Sequence, residues 1–341
     1  MMPHAREQIV MNVTMREFDT SDADYEAWCA ICNALNPDNV RTAEEMKDWE
    51  ARREPRILVG KWFGVVDGEP VGVIEYSQMM WAYHPQKFSV YVGVVPAKQG
   101  AGIGQLLFDY LTEALAPHNP VSLRCNIRAD WTRSVKFVAC RGFAEDFRAW
   151  ESRLDVTAFD PAPFAELRDK PLARGIIFKT AGQLKAEDSG FARKLWELDT
   201  ELLLDVPSPE PITSLSFETF HRLFLESPSF LSEGVLFAVD GETNEYAGVS
   251  GVWKRQADNH LDTGLTGVRR TYRRMGIAMA LKLRVIEYAR SIGCPVIRTD
   301  NATTNRPMLS INEALGFEKQ PVWISLTKTI EPNSSMKEGA V

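Results

Sequence analysis

The chain has 341 residues, of which 45% are hydrophobic and 25% charged, and carries a formal charge of −7. At roughly 150 residues per domain this predicts about two domains, and the apolar fraction excludes disorder throughout. The acidic balance argues against a dedicated nucleic-acid binder, and 22 Gly with 19 Pro exclude a collagen-like or low-complexity chain.

In chain order, Ile9 to Arg16 reads as a strand. Asp19 to Arg53 reads as helix, broken at Asn36-Pro37-Asp38. Strands at Leu58 to Val66 and Pro70 to Gln78 flank the turn Asp67-Gly68-Glu69, and Phe88 to Val95 is a fourth strand ended by Pro96. Gly104 to Ala116 is helical, Val121 to Ile127 a strand, Thr132 to Cys140 a helix stopped by Gly142, and Glu145 to Val156 strand again. The second half repeats the plan. A strand at Gly175 to Thr180 precedes helices at Ala186 to Leu204 and Phe217 to Glu226. Strands follow at Val235 to Val239, Tyr246 to Lys254 and Leu261 to Val268. Helix Ala278 to Ile292, strand Val296 to Asn301, helix Pro307 to Leu315 and strand Val322 to Thr327 complete the unit.

The two halves align at a constant offset of 174 residues. Gly93, Val94, Gly102, Ile103, Leu107, Glu113, Arg124, Gly142 and Phe143 each recur at that offset. The matches fall on strand, glycine turn, helix, strand and helix end in the same order, which indicates duplication of one α/β unit. Domains are expected at 1–160 and 172–330, with a polar, disordered tail at 331–341.

Each unit runs from a strand through a small-residue turn into a helix: Gln99-Gly100-Ala101-Gly102-Ile103-Gly104 and Arg273-Arg274-Met275-Gly276-Ile277-Ala278. Small residues let backbone approach a ligand, and the free N–H groups of a helix start suit a diphosphate. Arg269, Arg270, Arg273 and Arg274 place four cations around the second turn. A Walker A loop is excluded because no Gly-Lys-Ser/Thr follows, and Gly-x-Gly-x-x-Gly is absent. Cys29 and Cys32 lack a second pair and read as buried thiols, so no metal site is expected.

Both turns resemble motif A of the GCN5-related N-acetyltransferase (GNAT) superfamily, Gln/Arg-x-x-Gly-x-Gly/Ala, and Arg298 to Phe317 resembles the family's fifth strand and fourth helix. The resemblance covers about residues 9–156 and 175–327. It implies an α/β fold of the α+β mixed-sheet kind: two tandem acyl-CoA N-acyltransferase (GNAT) folds whose fourth and fifth strands splay apart. It further implies acetyl-CoA, or another acyl-CoA, as donor and a small-molecule amine as acceptor. The pantetheine would pair with the backbone of Val94-Val95 or Val268-Arg269, near Asn305. The pyrophosphate would lie on amides of Gly100 to Gly104, including Gly102 and Ile103, or of Arg274 to Ala278, including Met275, Gly276 and Ile277, with Gln99 and Arg273 opening the two motifs. The second unit is favoured for chemistry, because the first has Trp131 in place of Asn305.

The Tyr that many family members place before the final Gly-Phe is replaced by Val138 and Asn312. Candidate bases are His260 and Asp262, two apart on one strand face, and Glu75. Aromatic residues at Met79 to Phe88, with Tyr25, Trp28 and Trp49, suit a partly apolar acceptor or ordinary packing. A protein amine as acceptor, and a non-catalytic acyl-CoA sensor or scaffold, are the competing readings. No signal-length segment and no apolar run of about 18 residues occurs, so a soluble, cytoplasmic monomer or homodimer without membrane contact is expected.

Overall fold

The computed structural model describes residues 12–331. The expected strand start at Ile9 and residues 332–341 of the expected tail lie outside the described residues. The first repeat contains β1 (Val13–Glu17), α1 (Asp22–Leu35), α2 (Ala43–Arg52), β2 (Val59–Val66), β3 (Glu69–Gln78), β4 (Lys87–Val94), α3 (Ile103–Leu115), β5 (Ser122–Arg128), α4 (Thr132–Ala139) and β6 (Ala144–Asp155). A connecting segment carries the short helix α5 (Ala165–Asp169). The second repeat contains β7 (Ile176–Thr180), α6 (Ala181–Glu187), α7 (Phe191–Leu203), α8 (Phe217–Phe220), β8 (Phe230–Asp240), β9 (Tyr246–Lys254), β10 (His260–Val268), α9 (Ile277–Ser291), β11 (Val296–Ala302), α10 (Arg306–Ala314), β12 (Glu318–Lys319) and β13 (Trp323–Thr329).

Three elements depart from the sequence reading. The helix expected over 186–204 is two helices. Asp188 ends the first and turns the chain by accepting the Gly190 N–H at 2.8 Å, while Thr180 and Gln183 form a capping box at the first helix's start. The helix expected over 217–226 keeps only one α turn before passing into a π-helix at His221–Leu225. The strand expected at Val235 begins at Phe230, because its first residue pairs with Trp253 across an irregularity in register.

The chain divides into two compact units. Among the described residues, one gathers those through Cys125, Arg141–Ala144 and those from Thr327; the other holds Asn126–Cys140 and Glu145–Leu326. This is not a single cut between 160 and 172. β6, which closes the first repeat in sequence, pairs antiparallel with β11 from Val296↔Asp155 to Ala302↔Ala149. The last strand, β13, runs beside β5. Each repeat's closing strand is thus spent on the other repeat's sheet edge.

Within the first unit the strand order is β1-β2-β3-β4-β5, and within the second β6-β11-β10-β9-β8-β7. Helix α3 buries Ile103, Leu107, Phe108, Leu111 and Leu115, a spacing of three and four that keeps one stripe on the sheet. Helix α9 buries Ile277, Leu281, Val285 and Ile286 in the core formed with Leu261, Val268 and Ile297. On the other sheet face of the first unit, Phe18, Tyr25, Trp28, Ile31, Phe63 and Val73 form a second core under α1.

Candidate active site

The two glycine turns are built alike. Gln99 Nε2 donates to the Val94 carbonyl at 2.9 Å, and Arg273 Nε donates to the Val268 carbonyl at 3.0 Å. Each side chain ties the turn back to the end of its strand. Gly102 and Gly276 then cap their helices at φ 84° and 83°, a left-handed geometry that glycine adopts without strain. Neither cap offers a side chain to the first helical turn, so the amides there are left for a ligand. These features fit the diphosphate of an acyl-CoA at both turns.

The turns differ in charge. Of the four arginines at the second, Arg269 pairs with Glu201 at 2.7 Å and Glu245 at 3.3 Å. Arg270 and Arg273 both grip Asp205. Those two guanidiniums, Arg270 first, hold the Asp205 carboxyl down at about 2. The four cations are therefore not four free charges. Arg274 alone is exposed and unpaired among the described residues, with a backbone φ of 67° where the first repeat has Gly100. Tyr272 hydrogen-bonds Asp240 and Glu245, both at 3.0 Å, and so braces the β8–β9 hairpin.

Strands β4 and β5 pair in parallel only from Lys87↔Ser122 to Ser89↔Arg124, and β10 and β11 only from His260↔Val296 to Asp262↔Arg298. Beyond those three pairs the strands splay in both repeats. The Val95 N–H is bonded inward to Val71 at 2.9 Å and the Arg269 N–H to Ala247 at 2.8 Å. By the alternation of an antiparallel ladder, Val94 and Val268 are the residues whose amides face the splay. Val95 and Arg269 are thus removed from the expected pantetheine contacts through their N–H groups.

Only the second repeat interrupts its fourth strand: β10 changes register between Thr263 and Thr266, whereas β4 pairs with β3 without a break. Such a bulge re-aims backbone and side chains next to the opening. At the closed end of the splay, the His260 ring is buried between two carboxylates. Its Nδ1 contacts Asp258, and its Nε2 lies 3.2 Å from Asp262 Oδ1. Burial pushes the Asp262 carboxyl up, but His260, Arg255 and Arg298 outweigh it and hold the group below its ordinary range. Across the splay, Asp300 stands directly opposite Glu151 in the β11–β6 register. Asp300 is exposed to solvent on β11, and the partial loss of water around it, then the charges of Glu151 and Asp262, push it up to about 6. On α7, loss of water pushes Asp199 up to about 7. It lies one turn before Leu202, whose methyl groups cover Gly267. Asp258, Asp300 and Asp199 escaped the sequence reading; the one available signal was the alignment of Asn126 with Asp300.

Aromatic residues line the same side of the second unit. Trp253 is the cross-strand partner of Asp262, and Phe224 and Phe230 lie 5.5 and 5.6 Å from its ring. A side chain at Gly264 would collide with the Trp253 indole. In the first unit, Tyr25 and Trp28 belong to the core and do not form an acceptor wall. Trp49 and Trp81 remain exposed and stack at 5.8 Å. Glu75 lies 4.0 Å from Lys61, which also pairs with Glu50. Burial pushes the Glu75 carboxyl up, against the pull of Lys61, Arg53 and Arg41.

Asn305 caps α10, its Oδ1 accepting the Met308 N–H at 3.4 Å; its counterpart Trp131 heads α4 without a side-chain cap. Asn312 is buried and donates to Asn301 Oδ1 at 2.6 Å, so the position where many relatives carry Tyr holds a structural hydrogen bond. Cys29 is buried, Cys32 half-buried and Cys140 exposed. No helix among the described residues is long and apolar enough to cross a membrane.

Comparison with known proteins agrees with this geometry. The acetyltransferase (GNAT) family pattern matches residues 22–143 and 193–317, more than half of the chain. Mycothiol acetyltransferase of Thermobifida fusca (strain YX) is 26% identical over 241 residues, 67% of this chain and 71% of that protein. Among solved structures, a tandem GNAT protein from the clavulanic acid biosynthesis pathway superposes with a TM-score of 0.71 at 19% identity, covering 94% of this chain and 99% of its own. A GCN5-related N-acetyltransferase from Sphaerobacter thermophilus superposes with a TM-score of 0.67 at 21% identity, covering 96% and 98%. The chain belongs to the acetyltransferase (GNAT) family, as an N-acyltransferase with two copies of the family fold in tandem.

Proposed function

We propose that the chain transfers an acetyl group from acetyl-CoA to the primary amine of a small molecule, with the chemistry in the second unit. The observation that carries this reading is the splay of β10 and β11. It holds a bulged strand leading to a phosphate turn and, facing it, a carboxylate whose pKa of about 6 suits a general base near neutral pH. Acetyl-CoA supplies the activated thioester. The second turn would hold its diphosphate through the amides of Arg274 to Ala278 and the Arg274 cation, and Val268 would pair with the pantetheine.

The acceptor arrives as an ammonium and must lose a proton before it can attack. Asp262, kept ionised by His260, Arg255 and Arg298, attracts the ammonium, and Asp300 takes the proton. Asp258 and Asp262 flank the His260 ring on both sides. The Trp253, Phe224 and Phe230 wall excludes water and offers a flat apolar face to the body of the amine. The departing thiolate receives no proton from the Asn312 position and draws one from solvent. In the first unit, Gln99, Gly102 and Val94 keep the cofactor geometry, while Glu75 is committed to the Lys61–Glu50 group.

A thiol-release assay with acetyl-CoA against a library of small amines and amine-bearing peptides, with mass spectrometry of the product, tests the reading. Acetylated small amines, lost with Gly276→Glu and retained with Gly102→Glu, are the expected outcome. Release only with peptides would move the acceptor to a protein amine, and binding without release would leave a sensor.

A further inference from the structure

The connecting segment between the repeats is fastened to the second unit by its charged side chains. Arg284 Nη1 donates to the Arg168 carbonyl at 2.6 Å, and Arg284 Nη2 to Asp169 at 3.0 Å. Arg168 reaches Glu287 on the same helix at 2.8 Å. The Arg284 guanidinium also lies 3.8 Å from the centre of the Phe178 ring. Arg168 and Asp169 are thereby fixed on α9, and Pro171, two residues beyond Asp169, is buried. Lys170 stands between these anchors, so its backbone has little freedom.

The Lys170 side chain leaves that anchored backbone toward the phosphate turn. A Cβ placed on Gly276 would lie 3.7 Å from Lys170 Cδ, which puts the lysine stem against the helix cap and its ammonium two bonds further on. In the first repeat nothing lies within 4 Å of the corresponding point at Gly102. Lys170 is exposed, and no carboxylate pairs with it among the described residues. That separates it from Arg269, Arg270 and Arg273, whose charges Glu201, Glu245 and Asp205 already neutralise. Lys170 and Arg274 are thus the unpaired cations flanking Gly276.

We propose that Lys170, carried by the connecting segment and not by the acyltransferase repeat, binds a phosphate of the acyl-CoA held at the Gly276 turn. The inference rests on the assignment of acyl-CoA to that turn. A lysine here acts as a mobile point charge, suited to a phosphate whose position the backbone amides fix. The diphosphate and the 3′-phosphate of the nucleotide share this chemistry. The connecting segment then has a ligand-binding role besides joining the repeats.

Calorimetry of the full-length chain in a Gly102→Glu background, with CoA, 3′-dephospho-CoA and acetyl-pantetheine, tests the proposal. Lys170→Gln should weaken CoA about tenfold and Lys170→Glu further still, with acetyl-pantetheine unchanged and the loss shrinking as salt rises. An equal loss with 3′-dephospho-CoA assigns the lysine to the diphosphate; no loss with that ligand assigns it to the 3′-phosphate. Lys185→Gln, an exposed lysine on α6, serves as the control and should leave all three affinities unchanged. CoA affinity unchanged in both Lys170 variants, with melting temperatures preserved, overturns the proposal. If the Gly102→Glu chain binds no CoA and Gly276→Glu has nothing to remove, the assignment of acyl-CoA to the turn falls, and this inference with it.

Discussion

The two glycine turns lie 174 residues apart in sequence and show which parts of such a turn are fixed by backbone geometry and which are free to vary. Gln99 and Arg273 are different side chains making the same bond to the carbonyl at the end of a strand. Gly102 and Gly276 share a φ within one degree. The next pair breaks the symmetry: Gly100 and Arg274 both take a left-handed backbone, at φ 88° and 67°, but only the arginine adds a charge. The cap favours glycine because its backbone lies in the left-handed region. The neighbouring position tolerates a strained arginine where a cation is wanted.

The largest expected effect comes from filling the cap. Gly276→Glu combines a left-handed backbone unsuited to a side chain with a negative charge at the amides, and should weaken CoA at the second turn by about 100-fold or more. Gly102→Glu should do the same only at the first. Binding stoichiometry by calorimetry separates the two, and equal loss from either variant would break the assignment of chemistry to the second unit.

The next test bears on the splay. Asp300→Asn should lower kcat by about 100-fold to 1,000-fold and remove the rise of rate through pH 6 that the elevated carboxyl produces. Asp262→Asn should instead raise KM for the amine. A pH–rate profile unchanged by Asp300→Asn but flattened by Asp199→Asn would transfer the base to α7, whose carboxyl is pushed up to about 7.

A third contrast concerns the cores beneath the turns. In the first repeat Phe108 meets Phe143 edge-on at 6.2 Å. The aligned residues are Lys282 and Phe317, with the ammonium 5.0 Å from the ring and no carboxylate partner among the described residues. Burial lowers Lys282 from 10.5 to about 8. The folded pKa lies below the unfolded one, so between about pH 8 and 10.5 the unfolded chain binds more protons and stability rises with pH. Lys282→Met should abolish that rise and stabilise the protein at pH 7 by up to about 3 kcal/mol. Thermal melts across that pH range measure both effects.

The smallest effect is Arg274→Gly, which makes the second turn like the first. Relief of the left-handed backbone is worth about 1 kcal/mol, and CoA affinity should fall about threefold to tenfold. A variant both more stable and weaker in binding would show strain retained for the sake of charge.

Much of this architecture is legible in the residues. The fixed offset, the Gly102 and Gly276 turns and the period of the strands are local properties of the chain, and local sterics make them readable. The pair His260 and Asp262 was also within reach, since residues two apart on a strand share a face. What the residues could not show depends on elements distant in sequence. Asp300 is raised by loss of water and then by the charge of Glu151, which faces it only because β6 leaves its own repeat to pair with β11. The charge of the second turn depends on Asp205, more than 60 residues upstream, which cancels the arginines that a linear count adds together. Sequence alone determined the duplicated fold and its two glycine turns, because both follow from short-range periodicity and backbone preference. Tertiary structure alone decided which charges remain free and which carboxyl groups are raised toward neutral pH, because charge pairing and loss of water act through space between segments that the chain does not place side by side.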